Sequence, residues 1–131
     1  EESLKAGLER GGDLVIHHLF IPNIHHDIIP AFSGATKVKK FGAIGIVETY
    51  SVASCVMAAD KAAKIAPVQL IEIRLANGLG GKGYFVLTGE LADVEASVDA
   101  AKTHAQQEGL LAASEVIPAP HKEFIEKGIY W

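Results

Sequence analysis

The chain is short of cysteine, of aromatic residues and of positive charge. Its 131 residues include one Cys and 7% aromatic residues, and the formal net charge is −4. A single thiol excludes an internal disulfide and fits a reducing compartment. The scattered Lys and Arg residues exclude a nucleic-acid-binding surface, and no apolar run approaches the roughly 20 residues that span a bilayer. We therefore predict a cytoplasmic protein that binds neither nucleic acid nor membrane.

The clearest feature that the chain does have is an imperfect internal repeat. The segment IPNIH at 21–25 returns as IPAPH at 117–121, 96 positions later. Each copy follows an apolar run (14–21 and 110–117) and precedes an apolar pair (28–29 and 124–125). A repeated unit usually buries its faces against its copies.

This repeat predicts two domains, of which the first is represented by its end alone. We expect residues 1–34 to be the C-terminal part of a first domain, with a helix end, a strand over 14–21 and a short helix. Residues 35–40 are then a linker, and residues 41–131 are a complete second domain. Since no Met opens the chain, we expect a fragment of a longer protein.

Apolar periodicity predicts the elements of the complete domain. The predicted elements are, in order, strand 41–48, helix 50–65, strand 68–75, strand 84–88, helix 90–107, strand 110–117 and short helix 121–127. Pro67 and Gly109 end the two long helices. The order predicts an α/β (α+β) fold of the ferredoxin-like βαββαβ type, in which both long helices cover one face of an antiparallel sheet, with a short C-terminal helix appended.

A glycine-rich loop joins the second and third predicted strands. Gly78–Gly83 satisfies the dinucleotide-binding pattern G-x-G-x-x-G, but that pattern needs a helix next, and a strand follows here. A phosphate-binding Walker A loop also fails, because Ala76 and Gly83 stand where Gly and Ser or Thr are required. Two interpretations stay open. The loop is either a flexible hairpin connection or a backbone that approaches a symmetry axis and presents N–H groups to a small polar solute.

The histidines do not predict a metal site. His17 and His18 are neighbours on the first predicted strand and point to opposite faces. His25 and His121 occupy matching positions in the two copies, which favours a structural or interface role. His26 and His104 have no evident partner in the sequence, and no carboxylate or Cys stands at metal-ligand spacing from any pair.

The sequence also lacks a catalytic set. Cys55 lies among small apolar residues of the first long helix, which is typical of a buried small hydrophobe. Glu48 ends the first strand without a second acid or a nucleophile near it in the sequence. We therefore predict that the protein is not an enzyme.

Four motifs of the complete domain together carry a family resemblance. They are AIGIVET at 43–49, AAD at 58–60, GELADV at 89–94 and VIPAPH at 116–121. In this order they resemble the bacterial microcompartment (BMC) shell domain, over residues 41 to about 128. Residues 1–32, with NIH at 23–25 and PAFSG at 30–34, look like the end of a preceding shell domain. The chain is thus similar to the tandem-domain, trimer-forming shell proteins of the propanediol-utilisation type.

The resemblance implies a structural role in a shell. Three chains would form a homotrimeric, pseudohexameric tile with a central pore, and tiles would join other shell proteins around encapsulated enzymes. The pore would pass small polar metabolites or electrons. The residues that correspond to the pore loop are Ala76, Asn77, Gly78, Leu79, Gly80, Gly81 and Lys82. Lys64 falls where the family carries its tile-edge lysine, and His121 belongs to the adjoining edge segment.

The chain departs from the family in its edge segments, and its sequence neither supports nor excludes one cofactor. The family often has Arg where this chain has Ala119 and, in the first copy, Asn23, so edge packing is expected to differ. Tandem shell proteins can hold an iron-sulfur cluster through a Cys of the first domain's loop, which would precede Glu1. No cofactor is predicted from the residues present. The alternative function is a ferredoxin-like regulatory module that binds a small ligand between subunits.

Overall fold

The chain folds into a four-stranded antiparallel sheet with helices, as a computed structural model describes it for residues 1–127. The helices are α1 Glu2–Gly11, α2 Ile28–Phe32, α3 Val52–Ile65, α4 Leu91–Gln107 and α5 Lys122–Lys127, with a 3-10 turn at Gly12–Leu14. The strands are β1 Ala43–Thr49, β2 Gln69–Leu75, β3 Gly83–Gly89 and β4 Leu111–Ile117. The end of the predicted second domain, residues 128–131, lies outside the described residues.

The strand order in the sheet is β2-β3-β1-β4, and all neighbouring pairs are antiparallel. This order confirms the predicted ferredoxin-like βαββαβ arrangement and its short C-terminal helix. On β1, Gly45 faces the helices, and a Cβ there would lie 2.6 Å from a methyl of Val98 and 2.8 Å from one of Leu87. The glycine therefore lets α4 pack closely on the centre of the sheet.

The main core lies between the sheet and the helices α3 and α4. The sheet contributes Phe85, Leu87, Leu70 and Val47, all fully buried. Helix α3 contributes small residues, which let it approach both the sheet and α4: Cys55, Ala58, Ala59 and Ala62. Helix α2 completes this core with Ile28 and Ala31, both 0% exposed, and packs against β2 and α3.

One cap explains where α3 begins, and another explains where α4 ends. Ser51 is the N-cap of α3, because its hydroxyl oxygen accepts a hydrogen bond from the Ser54 backbone N–H at 3.1 Å. Helix α4 ends at Gln107, and Gly109 follows with φ +69°. Glycine adopts this left-handed conformation readily and therefore lets the chain turn into β4.

The strand predicted over residues 14–21 does not form. The segment is extended, with Val15 at φ −76° and ψ 112°, and its side chains alternate between half-buried and exposed. Leu14 and Ile16 are 89% and 96% exposed. A strand needs a neighbour for its backbone N–H and C=O groups, and within residues 1–127 no strand pairs with this segment.

Strand β2 departs from the predicted alternation at one point. The register with β3 shifts between Leu70 and Glu72, so Ile71 is the extra residue of a bulge. The bulge leaves Glu72 only 2% exposed, and its carboxylate accepts a hydrogen bond from Arg74.

Candidate functional site: two copies of one segment and the loop between β2 and β3

The first copy of the repeated segment is held on α3 by a buried carboxylate. Asp60, 3% exposed, accepts a hydrogen bond from the His25 backbone N–H at 2.7 Å. Its second oxygen accepts from Lys64 Nζ at 2.6 Å, and the same ammonium donates to the carbonyl of Asn23. Asp60 and Lys64 are four residues apart and share one face of α3, so a single helical turn binds two backbone groups of the first copy.

Both copies of the repeat build the same local cap. His25 Nδ1 accepts from the Asp27 backbone N–H at 3.2 Å, and His121 Nδ1 accepts from the Glu123 N–H at 3.2 Å. In each copy the His carbonyl also accepts the N–H three residues later, at 3.1 Å in the first copy and 2.9 Å in the second. The sequence repeat is therefore also a structural repeat, since both copies form the same two hydrogen bonds at equivalent positions.

The structure places the two predicted tile-edge residues differently. Lys64 is 41% exposed at its side chain and is tied to Asp60 and the first copy within the same chain. His121 is exposed and lies in the second copy, where the described residues provide no equivalent of Asp60. The two residues are thus not brought together in one chain, and the tile-edge role of each stays a prediction.

The predicted pore loop is a hairpin connection whose ends are joined. The Ala76 N–H donates to the Lys82 carbonyl at 2.8 Å, and two further turns run through Leu79. Ala76 has φ +56°, and the glycines at 78, 80 and 81 have φ +73°, +63° and +85°. No atom lies within 4 Å of a Cβ built on any of these three glycines. In this chain they are required for backbone conformation rather than for close packing.

A salt bridge fixes the end of this loop to the sheet. Lys82 Nζ lies 3.0 Å from a carboxylate oxygen of Glu48 on β1. Glu48 also lines a cavity of about 400 Å³ on the sheet face opposite α3 and α4, together with Ile46, Tyr84, Ala113, Ser114 and Glu115. Burial, and secondarily the charge of Glu72, raises the pKa of Tyr84. The phenol therefore stays protonated and can donate a hydrogen bond into the cavity.

A polar cluster joins the extended segment to the ends of α3 and α4, and the sequence analysis missed it. His17 Nδ1 lies 2.7 Å from Ser51 Oγ, and its Nε2 lies 3.9 Å from Glu108 Oε1. The other Glu108 oxygen accepts from Ser54 Oγ at 2.7 Å and lies 3.5 Å from His104 Nε2. The spacing of His104 and Glu108, four residues apart at a helix end, was the signal that could have revealed part of it.

His104 in this cluster is an imidazole with an unsatisfied nitrogen. Its Nε2 is buried and has no hydrogen-bond partner among the described residues. Burial lowers the pKa of His104, Glu108 opposes this shift, and Lys61 adds to it. The imidazole is therefore neutral at pH 7 and offers a lone pair or an N–H toward Glu108.

A second group of potential ligands lies in the first copy, at His25, His26 and Asp27. One ligand atom from each lies within 4.8 Å of the others, and the two imidazole rings stack with centroids 4.3 Å apart. However, His25 Nδ1 accepts the Asp27 N–H, as His121 does in the second copy. A metal at either nitrogen of His25 would disturb that cap, so this group is best explained as a capping motif with an exposed neighbour.

The two residues considered for catalysis have no catalytic geometry within the described chain. Cys55 is fully buried, and burial raises the pKa of its thiol to about 12, an effect that a hydrogen bond with Thr49 partly opposes. Such a thiol is protonated and inaccessible. Because only the thiolate form of cysteine acts as a nucleophile, Cys55 is not suited to that role. Glu48 forms its ion pair with Lys82, and no nucleophilic side chain is paired with it.

Among residues 1–127, no helix is both long and apolar enough to span a membrane.

Comparison with known proteins connects this architecture to shell proteins. Residues 43–120 match the family model of the BMC domain. The chain is 43% identical over 122 residues to the bacterial microcompartment shell protein PduT of Citrobacter freundii, covering 93% of this chain and 66% of PduT. It is 32% identical over 84 residues to the shell protein EutM of Salmonella typhimurium, covering 64% of this chain and 85% of EutM.

A solved structure gives the same result for the fold. The crystal structure of a microcompartment protein from Desulfitobacterium hafniense DCB superposes with a TM-score of 0.86 at 41% identity, covering 95% of this chain and 69% of that chain. The superposition therefore includes both the four-stranded sheet and most of the segment that precedes it. The resemblance that four short motifs suggested is confirmed, and the chain belongs to the BMC domain family.

Proposed function

We propose that this protein is a structural component of a bacterial microcompartment shell in the cytoplasm and that it is not an enzyme. PduT and EutM are both named as shell proteins, and the match to the BMC domain covers the whole sheet. Because the chain spans 66% of the length of PduT, the role of the whole protein is inferred from its relative. The buried Cys55 and the paired Glu48 support the absence of catalysis.

The complete protein is a tandem of two BMC domains, of which residues 1–34 form the end of the first. The exposed apolar side chains of the extended segment support this division, because they alternate with half-buried residues, of which His17 contacts Ser51 at the start of α3. Leu14, Ile16 and Phe20 are 89%, 96% and 44% exposed. A preceding sheet would cover them. PduT supports the same division, since 122 aligned residues cover only 66% of it, whereas 84 cover 85% of EutM.

One observation favours a homotrimer: the two matching segments have different surroundings, and only the first buries its apolar residue completely, whereas Phe124 of the second lies against the outer face of the sheet. The first copy binds the Asp60–Lys64 turn of α3 and buries Ile28 completely. The second copy has the same cap, but His121 is exposed, and Phe124 and Ile125 remain half-exposed. Docking of the second copy on the first domain of another chain would repeat the observed contact head to tail. A heterologous interface gives a ring when its rotation closes, and closure after three tandem chains would give a pseudohexameric tile.

In this tile the loop 76–82 surrounds a central pore for small polar metabolites. The loop is exposed at five of its seven residues, and its glycines carry no side chains that would fill the axis. Turn conformations with positive φ present backbone N–H groups to solvent. A reconstruction of the assembly by electron cryo-microscopy would place this loop. Its position at the tile edge instead of the axis would refute the pore assignment.

Electron transfer through this pore would require a cofactor that the present chain does not hold. Iron-sulfur clusters are bound by Cys thiolates, and the single Cys of the chain, Cys55, is buried in α3. The loop 76–82 contains no Cys. The residues present therefore do not fit a cluster, and one would have to be held by the proposed first domain.

The decisive experiment is the mass of the full-length protein in solution, combined with electron microscopy of concentrated samples. We expect a trimer that grows into sheets or tubes, since tiles of this kind bind one another and other shell proteins around encapsulated enzymes. A monomer would refute the head-to-tail docking. A trimer that never tiles at any concentration would refute the shell role.

A regulatory module is the second candidate, and one cavity favours it. The cavity of about 400 Å³ on the open face of the sheet has the volume of a small-ligand site. Its apolar lining and the carboxylate of Glu115 would suit a small organic cation, whereas Glu48 is already paired with Lys82. Saturable binding of such a compound by a discrete oligomer that does not tile would favour this function over the shell.

A further inference from the structure

The loop between β2 and β3 contains an Asn-Gly pair in a tight turn. Of the two Asn residues of the chain, only Asn77 precedes a glycine. Asn77 and Gly78 are both exposed and are the central residues of a turn, which a hydrogen bond from the Leu79 N–H to the Ala76 carbonyl closes at 3.0 Å. Gly78 has φ +73°, as the third residue of a type II turn does. The turn therefore exposes both residues of the pair to water.

The two groups of this pair that can react with each other are unengaged within residues 1–127. The Asn77 side-chain amide makes no hydrogen bond there, and the Gly78 backbone N–H has no acceptor. A Cβ built on Gly78 would have no atom within 4 Å. Because Gly78 carries no side chain, nothing shields its nitrogen from the carbonyl carbon of the Asn77 side chain, and the peptide can rotate toward it.

We propose that Asn77 and Gly78 form a self-modifying site, at which water converts the side-chain amide to a carboxylate. The Gly78 nitrogen loses its proton to a base in the solvent and bonds to Cγ of Asn77. The bond from Cγ to the side-chain nitrogen breaks, and ammonia leaves behind a five-membered cyclic imide. Water then opens the imide at Cγ, which gives aspartate, or at the main-chain carbonyl, which gives isoaspartate. Neither step changes an oxidation state.

The other Asn of the chain lacks the features of this site. Asn23 precedes Ile24, whose branched side chain crowds the nitrogen that would have to attack. The backbone carbonyl of Asn23 also accepts a hydrogen bond from Lys64, which holds the residue against α3. The comparison predicts that the modification is confined to the loop.

Two hydrogen bonds of the turn oppose the reaction. The bond from Leu79 to Ala76 spans the reacting pair, and the Asn77 N–H donates to the Leu75 carbonyl at 2.6 Å. The pair has to rotate out of the turn before the Gly78 nitrogen reaches Cγ. However, the loop is exposed at five of its seven residues, and local opening of such a loop costs little free energy. The folded loop therefore slows the conversion without preventing it.

Conversion changes the charge of the loop. Lys82 is the only ionisable side chain of residues 76–82, and its ammonium is already paired with Glu48 at 3.0 Å. A new carboxylate at position 77 is ionised at pH 7. One consequence rests on the proposed function: in a trimer, three such loops would place a ring of negative charge at the pore, and such a ring favours cations over anions.

Incubation of the full-length protein in mildly alkaline buffer, followed by tryptic digestion and mass spectrometry, tests this proposal. Cleavage after Arg74 and Lys82 isolates the loop as the peptide 75–82, and Asn23 lies in the peptide 11–37. We expect peptide 75–82 to gain the mass of an exchange of NH₂ for OH and to separate into aspartate and isoaspartate forms. Conversion should become faster as the pH rises, because the attacking nitrogen must lose its proton. It should exceed conversion of Asn23 by at least about tenfold.

Two glycine variants are a matched pair for this experiment. Gly78→Ala should slow the conversion of Asn77 several-fold, because a methyl group then crowds the attacking nitrogen. Gly81→Ala is the control: Gly81 also has a positive φ, +85°, and open space around its Cβ. This control strains the same loop without touching the reacting pair, so its conversion should not be slower than that of the unaltered protein.

Three results would overturn the proposal. They are conversion of Gly78→Ala at the rate of the unaltered protein, equal conversion of Asn23 and Asn77, and an Asn77 that stays intact in the folded protein under conditions that convert it in urea. The last result would mean that the turn protects the pair completely. Because the mass of a peptide does not depend on assembly, failure of the trimer or of the shell role would be seen separately, in the mass and microscopy of the full-length protein.

Discussion

The two copies of the repeated segment show one sequence unit in two surroundings. Both begin with a His whose Nδ1 accepts the N–H two residues later. The first copy then buries Ile28 completely against β2 and α3, whereas α5 in the second copy buries no residue completely and sets Phe124 against the outer face of its own sheet. Local sequence thus determines the cap, and the tertiary partner determines the burial. Under the proposed function, the less buried second copy is the one that would contact another chain.

The largest expected difference between the copies is in how much the apolar side chains of Ile28 and Phe124 contribute to the free energy of unfolding. Ile28→Ala should lower the free energy of unfolding by about 3 kcal/mol, because large-to-small changes at fully buried sites leave a cavity. Phe124→Ala, at the matching and half-exposed position, should cost about 1 kcal/mol in the isolated chain. Urea denaturation measures both. Equal losses would show that α5 is as firmly anchored as α2.

The second prediction removes the carboxylate that holds the first copy. Asp60→Ala leaves the His25 N–H and the Lys64 ammonium without their partner, and we expect a loss of about 2 kcal/mol in the free energy of unfolding. The control is Asp99→Ala, an exposed change on α4 that should stay within about 0.5 kcal/mol. If both variants unfold at the same denaturant concentration, the Asp60 contacts do not stabilise the docked segment.

Much of this architecture could be predicted from the sequence because it depends on local periodicity. The elements from β1 to α5 begin and end within about two residues of their predicted limits. Alternation in the strands and helical spacing in α3 and α4 can be recognised in consecutive residues. The repeat likewise predicted equivalent positions for His25 and His121, and the matching caps confirm that equivalence.

The remaining features depend on partners that are distant in the sequence. The prediction of a strand over 14–21 was wrong for the described residues. Alternation specifies which side chains face inward, but a strand also needs a neighbouring strand for its backbone hydrogen bonds. The bulge in β2 could not be predicted, because no glycine or proline between Leu70 and Glu72 signals the shift of register. The cluster at Glu108 was missed because His17 comes from 91 residues earlier in the chain. The pore and tile-edge assignments came from the resemblance and stay predictions.

The third prediction tests the feature that the copies share. His25→Ala and His121→Ala each remove an acceptor for one backbone N–H at the start of a short helix, which typically costs about 1 kcal/mol. We expect similar local losses, seen as faster hydrogen exchange of the Asp27 and Glu123 amides. Acceleration confined to one of the two amides would mean that the caps differ in strength.

The smallest expected effect concerns pH and the cluster found only beside the first copy. Because burial lowers the pKa of His104, the unfolded chain binds this proton more readily than the folded chain. Stability should therefore fall as the pH drops below the unfolded value of about 6.5. His104→Gln should reduce the loss between pH 7 and pH 5, as measured by urea denaturation with a chelator present.

The control for this pH effect is His18→Gln, because His18 is the exposed neighbour of His17 in the same extended segment. This variant should keep the pH dependence of the unaltered protein. An identical pH profile for the His104→Gln variant would show that the imidazole is not kept neutral by its surroundings.

The burial of Cys55 has a practical consequence for chemical labelling. A thiol with a pKa of about 12 inside the core does not react with maleimides or disulfide reagents while the protein is folded. A cysteine introduced at Leu79, in the loop between β2 and β3, would then be the one thiol of this chain open to such reagents. Fluorophores, spin labels or cross-linkers attached there would report directly on whether loops from different chains meet.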